Sequence, residues 1–412
     1  MNDIINFNDR INEISMDNIV FHGSKCSDSD FLEINWQLLY GCNYKCSYCF
    51  GQETLNKKDF ISIDKLKHAV DNIFKINKKY YTFSLLGGEP TYHPYFLELV
   101  KYIYSFDKNI SILLISNGSK NTDYFEKLLY YAGNNDLYFN FSIHFEYADI
   151  EHIKDLIKLF NKYKKIISIN LMLHPEYKDK IHKYFNELIE FQKEYYFNLG
   201  LVELREPPDF NTIDSRYDKD FFNWIDNSRN TIEYSKHEID DFTNRNILFP
   251  RVYFKVKNIN NNIEDICIHH NIALRNNLQN FKKFYCCGGI NLIVINNDGS
   301  YRGGQCPQFP TLGNIYEDDE INLFKLSNFI RCNMYQCGCE TNARNNKYID
   351  IEKAKKYVLN YKKKDSNYMI NYMQDIYNKV NEIDNKINNI IDTLAWWIPI
   401  KKYRDNFRNK FK

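Results

Sequence analysis

From residue 32 to about 204, short β-like apolar runs alternate with segments of helical periodicity. This alternation restricts the fold more than any other feature of the chain. The runs 32–40, 81–86, 111–116, 138–143, 166–173 and 197–204 read as strands. The segments 63–76, 94–106, 123–132, 150–162 and 176–194 carry apolar residues at spacings of three and four. In the first helix Leu66, Val70, Ile73 and Phe74 share a face, and Ser62 is placed to cap it. Pro94 suits a first helical turn and Gly133 a helix end. Such repetition implies an α/β fold with a parallel sheet and right-handed crossovers. Periodicity alone admits an open or partial barrel and a doubly wound sheet equally.

In either fold, functional groups collect where strands end. Cys42 follows the first strand, Gly87, Gly88, Glu89 and Pro90 the second, and Ser116, Asn117 and Gly118 the third. His144 follows the fourth, His174 the fifth, and Glu203 and Arg205 the sixth. The expectation is one rim built from six loops.

The cysteines set the chemistry. The first residues, MNDIINFNDRINEIS, lack a basic stretch followed by an apolar run, and no apolar stretch is long enough to span a membrane. A cytoplasmic protein is therefore expected, in which structural disulfides are rare. Of eleven cysteines, three lie at 42–49, seven between 267 and 339, and Cys26 stands apart, which suggests two metal or cluster sites. A net charge of +1 gives no field that would favour nucleic acid.

Cys42, Cys46 and Cys49 fall within eight residues, in a loop after a strand. A closed structural zinc site needs a fourth ligand. A zinc knuckle would have to borrow Cys26. Three thiolates can instead hold three irons of a 4Fe–4S cluster and leave one iron open. The C-x3-C-x2-C spacing, with Tyr48 before the last cysteine and Phe50 after it, resembles the signature of the radical SAM family. Leu86-Gly87-Gly88-Glu89-Pro90 resembles that family's GGEP motif, which contacts the amino group of S-adenosylmethionine. Ile115-Ser116-Asn117-Gly118 resembles its strand-end motif near the methionine and ribose. Ser142-Ile143-His144 stands where the family often has Ser-Leu-Asp, so His144 departs from the commoner residue. The resemblance covers about residues 32–205. It implies a partial (β/α)6 TIM-like barrel and a 4Fe–4S cluster on Cys42, Cys46 and Cys49. It also implies S-adenosylmethionine held by residues 87–90, Ser116, Asn117, Ser142 and His144, and a flavodoxin or ferredoxin as reductant. The expected reaction is reductive cleavage of S-adenosylmethionine to a 5′-deoxyadenosyl radical that abstracts hydrogen. His144, His174, Glu203 and Arg205 are the candidates on the substrate side.

In the second cysteine group, Cys286-Cys287 precede a strand at 291–295, the turn Asn297-Asp298-Gly299 marks a hairpin, and Cys306 follows. Leu312-Gly313-Asn314-Ile315 and then Cys332, Cys337 and Cys339, expected on a helix, come next. The order resembles the auxiliary-cluster domains, SPASM or twitch, of many radical SAM enzymes. It implies a second cluster on Cys287, Cys306, Cys337 and Cys339, with Cys286 and Cys332 as competitors. A redox-silent zinc ribbon is the alternative.

Met373, Ile376, Val380, Ile383, Ile387, Ile390, Leu394 and Trp397 form an a/d heptad seam. It suits a coiled-coil dimer and a helix packed on its own domain equally. The tail, WWIPIKKYRDNFRNKFK, mixes aromatic and basic residues, which suits peripheral contact with the inner membrane face. It resembles short endings on bacterial surface-polysaccharide enzymes, including glycosyltransferases. The expected parse is an N-terminal extension (1–31), barrel (32–230), connector (231–265), auxiliary domain (266–345), heptad helices (346–398) and tail (399–412).

Three functions fit. The first is a radical SAM enzyme acting on a surface glycan or nucleotide sugar. The second is a maturase of peptides or proteins, against which stand the 41 residues before Cys42, too few for a peptide-recognition domain. The third is a non-catalytic metal-cluster scaffold, for which the GGEP motif has no use.

Overall fold

A computed structural model of the chain describes residues 10–23, 31–76, 78–165, 167–206, 212–232, 251–337, 345–364, 368–398 and 400–411. Cys26, Pro207-Pro208, Cys339 and Pro399 lie outside the described residues. The chain divides into two compact units, Met1–Val358 and Leu359–Lys412.

The first unit begins with β1 (Ile19–Gly23). Its main sheet contains β2 (Phe31–Gln37), β3 (Tyr80–Leu86), β4 (Asn109–Ser116), β5 (Asp136–Ile143), β6 (Ile167–Leu173) and β7 (Asn198–Glu203). The helices α1 (Ile63–Lys75), α2 (Phe96–Ile103), α3 (Thr122–Ala132), α4 (Ile150–Lys162) and α5 (Lys178–Phe191) connect them, and α6 (Lys219–Thr231) follows β7. All six strands are parallel and lie side by side in chain order. A doubly wound sheet would reverse that order at a switch point. The unbroken sequence of neighbours is that of an open, partial (β/α)6 barrel, the distinction periodicity could not make.

Local chemistry fixes the ends of these elements. Ser62 Oγ accepts from Lys65 N at 3.5 Å, and Asn121 and Asp149 cap α3 and α4 in the same way. Gly133 ends α3 with φ +54°. Two helices start later than the sequence suggests. Pro175–Tyr177 forms a tight turn capped by His174 that takes the first residues expected in α5, while Pro94, expected in the first turn of α2, stands two residues before it, after a turn at Pro90–Tyr92 capped by Glu89. One sheet face is apolar and packs under the helices. Phe139 and Phe141 of β5 meet Phe125 of α3 and Phe160 of α4, with ring centroids 4.1–6.2 Å apart. Each such ring contributes roughly 1.5–3 kcal/mol of burial free energy.

The cysteine-rich stretch departs from the expected parse. It forms β8 (Arg251–Lys257), β9 (Ile263–His269), β10 (Tyr285–Gly288), β11 (Leu292–Ile295), β12 (Ser300–Arg302), β13 (Gly313–Asn314), β14 (Asn328–Arg331) and β15 (Lys347–Tyr348). The expected hairpin is β11–β12, turning at Gly299 with φ +85°. But β11 also pairs in parallel with β2, so β11, β12 and β13 continue the main sheet. A second sheet has the order β14-β10-β15-β1-β8-β9. The N-terminal extension and the expected connector thus supply β1, β8 and the first three residues of β9. Sequence periodicity reports which face of a strand is apolar and not which distant strand it joins. Of the cysteines expected on a helix, the two that are described, Cys332 and Cys337, are not on one. Cys332 follows β14, and the described residues 332–337 are irregular.

The second unit contains the continuous helix Tyr368–Trp396 and the shorter helix Lys401–Phe411. Arg408 Nε lies 3.0 Å from Asp392 Oδ1, and the Arg404 guanidinium is 5.2 Å from the Trp396 ring centroid. Among the described residues no helix is long and apolar enough to cross a membrane.

Candidate active site

The loop after β2 carries three free thiols, Cys46 buried and Cys42 and Cys49 partly so. Burial raises the Cys46 thiol to about 12, helped by the nearby Glu146 carboxylate and by Cys49 and Cys42. Burial also raises Cys42. Backbone N–H groups already point at the sulfurs, from Tyr44 to Cys42 Sγ at 3.4 Å and from Gly51 to Cys49 Sγ at 3.3 Å. Asn117 Nδ2 lies 3.8 Å from Cys42 Sγ. Such donors favour thiolate over thiol.

Three neighbouring strand ends hold this loop. From β4, Ser119 Oγ accepts from Asn43 Nδ2 at 2.8 Å. After β5, Glu146 accepts from Ser47 N at 3.0 Å, Tyr147 OH accepts from Lys45 N at 3.1 Å, and the Tyr147 ring stacks on Tyr44 at 4.4 Å. Tyr48 OH is 2.7 Å from His144 Nδ1, and Ser47 Oγ is 3.3 Å from His174 Nε2. Burial lowers His144 to about 4, so its imidazole is neutral near pH 7. His174 is also lowered, by burial first and then by Arg216. His144 and His174 both reach the cysteine loop, through Tyr48 and Ser47.

The di-glycine loop lies against the same segment. Gly88 N donates to Leu39 O at 2.8 Å and Glu89 N to Gly41 O at 3.0 Å. A Cβ on Gly88 would stand 2.1 Å from Gly41 O, and one on Gly87 2.4 Å from Leu39 O. Only glycine permits this approach of two backbones. Glu89 is 1% exposed. Its Oε1 accepts from Thr91 N, Thr91 Oγ1 and Ser116 Oγ, and its Oε2 from Asn117 N at 2.7 Å. Burial raises its pKa and these four donors oppose the rise. Glu89 thus ties the glycine loop to the end of β4.

Beside Asn117 opens a cavity of about 280 Å³, lined by Tyr44, Ser119, Phe141, His144, Tyr147 and His152 among others. The sheet face away from the helices adds a surface that the strand-end reading missed. Asn140 and Ser142 of β5 alternate with Phe139, Phe141 and Ile143, and Ser168 and Asn170 of β6 alternate with Ile167, Ile169 and Leu171. Asn170 and Asn140 hydrogen-bond each other, and a Cβ on Gly200 would strike Asn170 Oδ1. Glu33, Asn35, Thr82 and Ser84 line the same face on β2 and β3. The period-two polar residues in FNFSI and ISINLML were the signal for it.

Glu203 is elsewhere engaged. Its Oε2 accepts from Arg229 at 2.6 Å, with both side chains buried, and Arg275 lies 3.6 Å from Oε1. Its role is to pin α6 to β7. Arg205 forms an isolated bridge with Ile213.

In the second cysteine group, Cys286 and Cys287 occupy successive positions of β10, so their side chains leave opposite faces. Cys286 pairs across with Lys347, and Cys306 and Cys332 are near enough to oppose its ionisation. Burial pushes Cys286 up to about 11, and the Lys347 ammonium works against it. Cys306 and Cys332 thus lie in the electrostatic neighbourhood of Cys286. Cys287, of the expected set, leaves the other face of β10, and Cys337, also of that set, packs at the edge of the small core containing Cys332. Among the described residues no group of three His, Cys, Asp or Glu side chains is arranged to hold a single metal ion. A 4Fe–4S cluster asks for a different arrangement, because each thiolate binds its own iron. The first loop fits that group through its free thiols, its N–H donors to sulfur and the bare backbone of Gly88 beside it.

Residues 36–188 match the sequence profile of the radical SAM superfamily. A GTP 3′,8-cyclase of Microcystis aeruginosa is 32% identical over 25% of this chain and 32% of its own length. An S-adenosylmethionine-dependent nucleotide dehydratase of Selenomonas ruminantium is 31% identical over 21% of this chain and 30% of its own length. The chain thus spans about a third of the length of these relatives. A solved structure described as "Native anSMEcpe with bound AdoMet and Kp18Cys peptide" aligns at 19% identity and TM-score 0.45, over 72% of this chain and 80% of that one.

Proposed function

Because the chain belongs to the radical SAM superfamily through residues 36–188, whose cofactors are a 4Fe–4S cluster and S-adenosylmethionine, we propose that Cys42, Cys46 and Cys49 hold the cluster and that the enzyme abstracts hydrogen from a nucleotide-sugar or glycan substrate. Bound there, the cluster would supply the electron that splits the C5′–S bond of S-adenosylmethionine to give the 5′-deoxyadenosyl radical. The observation that carries the reading is the contact between the cysteine loop and the di-glycine loop, where Gly88 has no room for a side chain.

The chain's own residues would bind and orient. Tyr44 N and Gly51 N steady the sulfur ligands. Glu89, buried under four donors, fixes the glycine loop so that its backbone faces the methionine end of the cofactor. The cavity beside Asn117 suits the nucleoside end, with aromatic rings and His144 on its walls. The substrate class rests on the sheet face away from the helices. Its Asn140, Ser142, Ser168 and Asn170 offer uncharged donors and acceptors, which match the hydroxyls of a sugar better than an apolar side chain. The two relatives above are named for reactions of nucleotides, which points the same way. Cys286, Cys306 and Cys332 would hold an auxiliary cluster, and a flavodoxin or ferredoxin would deliver electrons. The helix Lys401–Phe411, with Tyr403 and Phe411 exposed among its cations, suits an anionic membrane surface.

Anaerobic reconstitution tests this. About eight irons per chain are expected for two clusters and about four for one. The Cys42→Ser, Cys46→Ser, Cys49→Ser protein should lose about four irons and all 5′-deoxyadenosine formation. A reconstituted protein that contains zinc and forms no 5′-deoxyadenosine sinks the assignment. Nucleotide sugars should accelerate 5′-deoxyadenosine formation. Acceleration by peptides alone would move the substrate class to the maturase reading.

A further inference from the structure

The helix Tyr368–Trp396 has an apolar stripe that its own unit leaves uncovered. Met373, Val380, Ile387 and Leu394 alternate with Ile376, Ile383, Ile390 and Trp397 at spacings of three and four. These eight side chains are 40–83% exposed. The chain's final helix covers a different face, where Ile391 and Ala395 are buried and Arg408 reaches Asp392. The heptad periodicity fits a left-handed coil of helices, since 3.5 residues per turn keeps one seam facing inward.

Charge selects the occupant. Taking Met373 as position a, the flanking g positions include Lys379 and Lys386, and Asp384 is at e. In a parallel, in-register coil, a g residue meets the e residue five positions later in the neighbouring copy. Lys379 then faces Asp384 of that copy. An antiparallel pairing would bring g against g, placing lysine against lysine, and e against e, placing aspartate against aspartate. The seam is thus complementary to itself in one orientation. Its d positions within the helix are Ile376, Ile383 and Ile390, with Trp397 just past the helix end, and isoleucine at d favours three strands or more over two.

We infer that the stripe on Tyr368–Trp396 is a self-association surface that joins three copies of this chain in a parallel, in-register coil. The proposal does not depend on the radical chemistry, because every outcome that decides it is a state of association.

The reconstituted full-length chain, examined by light scattering during size exclusion, should give about 150 kDa, three times the 49.5 kDa of one chain. The Ile383→Asp, Ile390→Asp protein should run as a single chain with its iron content unchanged. Lys379→Glu alone, or Asp384→Lys alone, should weaken association by about tenfold across three weakened ion pairs, and the two together should restore it. Circular dichroism of the two single variants should match that of the parent in helix content, which separates lost pairing from a lost helix. A monomeric parent overturns the interface. A stable dimer overturns the three-strand packing. Tighter association of Lys379→Glu would show antiparallel pairing and overturn the orientation.

Discussion

At the scale of single residues, the site depends on groups that hold the cysteine loop without being its ligands. Burial keeps His144 neutral down to about pH 4, so its bond to Tyr48 is the same at pH 7 and at pH 5. The sign follows from linkage. Between about pH 4 and the ordinary histidine value of about 6.5, the unfolded chain binds a proton that the folded chain refuses. His144 therefore lowers stability as the pH falls through that window and has no such effect above it. A ¹⁵N titration of the imidazole should give a midpoint near 4, and a midpoint near 6.5 would contradict the burial argument. Glu203, a substrate-side candidate at a strand end, is held in a buried pair with Arg229. Glu203→Gln removes the nearer of two carboxylates from the buried Arg229, leaving Asp226 at 3.4 Å. It should cost roughly 1–3 kcal/mol in denaturant unfolding, with little effect on 5′-deoxyadenosine formation beyond the loss of folded protein.

At the scale of elements, the critical joint is between the loop after β2 and the loop after β3. Gly88→Ala would press a methyl group onto Gly41 O and Tyr40 O, both backbone atoms that cannot rotate away. The variant should lose about 2–4 kcal/mol of stability and bind S-adenosylmethionine poorly in equilibrium dialysis, and normal binding would show that the two loops can separate freely. In the second sheet, alternation along β10 separates two adjacent cysteines that look equivalent in sequence. Cys286→Ser should cost the auxiliary iron and Cys287→Ser should not, as read by iron analysis of the reconstituted proteins.

At the scale of the molecule, the cysteine-rich stretch is built into the barrel sheet. Strand β11 lies in parallel register with β2, and Ile293 and Ile295 belong to the main core. Ile293→Ala should therefore destabilise the barrel as well as the cysteine-rich stretch, by roughly 2–5 kcal/mol in a single unfolding transition. Two separated transitions, with only the later one unchanged, would mean that the parts fold independently. The shared sheet also gives a reason for the two cysteine groups to be read together. Residues just beyond one end of β2 hold the first, and β10, next to β11 in the chain, carries part of the second.

The sequence by itself determined the strand–helix alternation, the polar residues that follow each strand, and the cysteine and di-glycine motifs. Each of these is local, set by a side-chain period, by a cap such as Ser62, or by a spacing within a few residues. Tertiary structure decided what depends on distant partners. It chose the sequential strand order over a doubly wound one, joined β11 to β2, made Glu203 a buried ion-pair partner, and set Cys286 and Cys287 on opposite faces of β10. Strand pairing and burial are agreements between segments far apart in the chain, and no single segment carries the information for both sides.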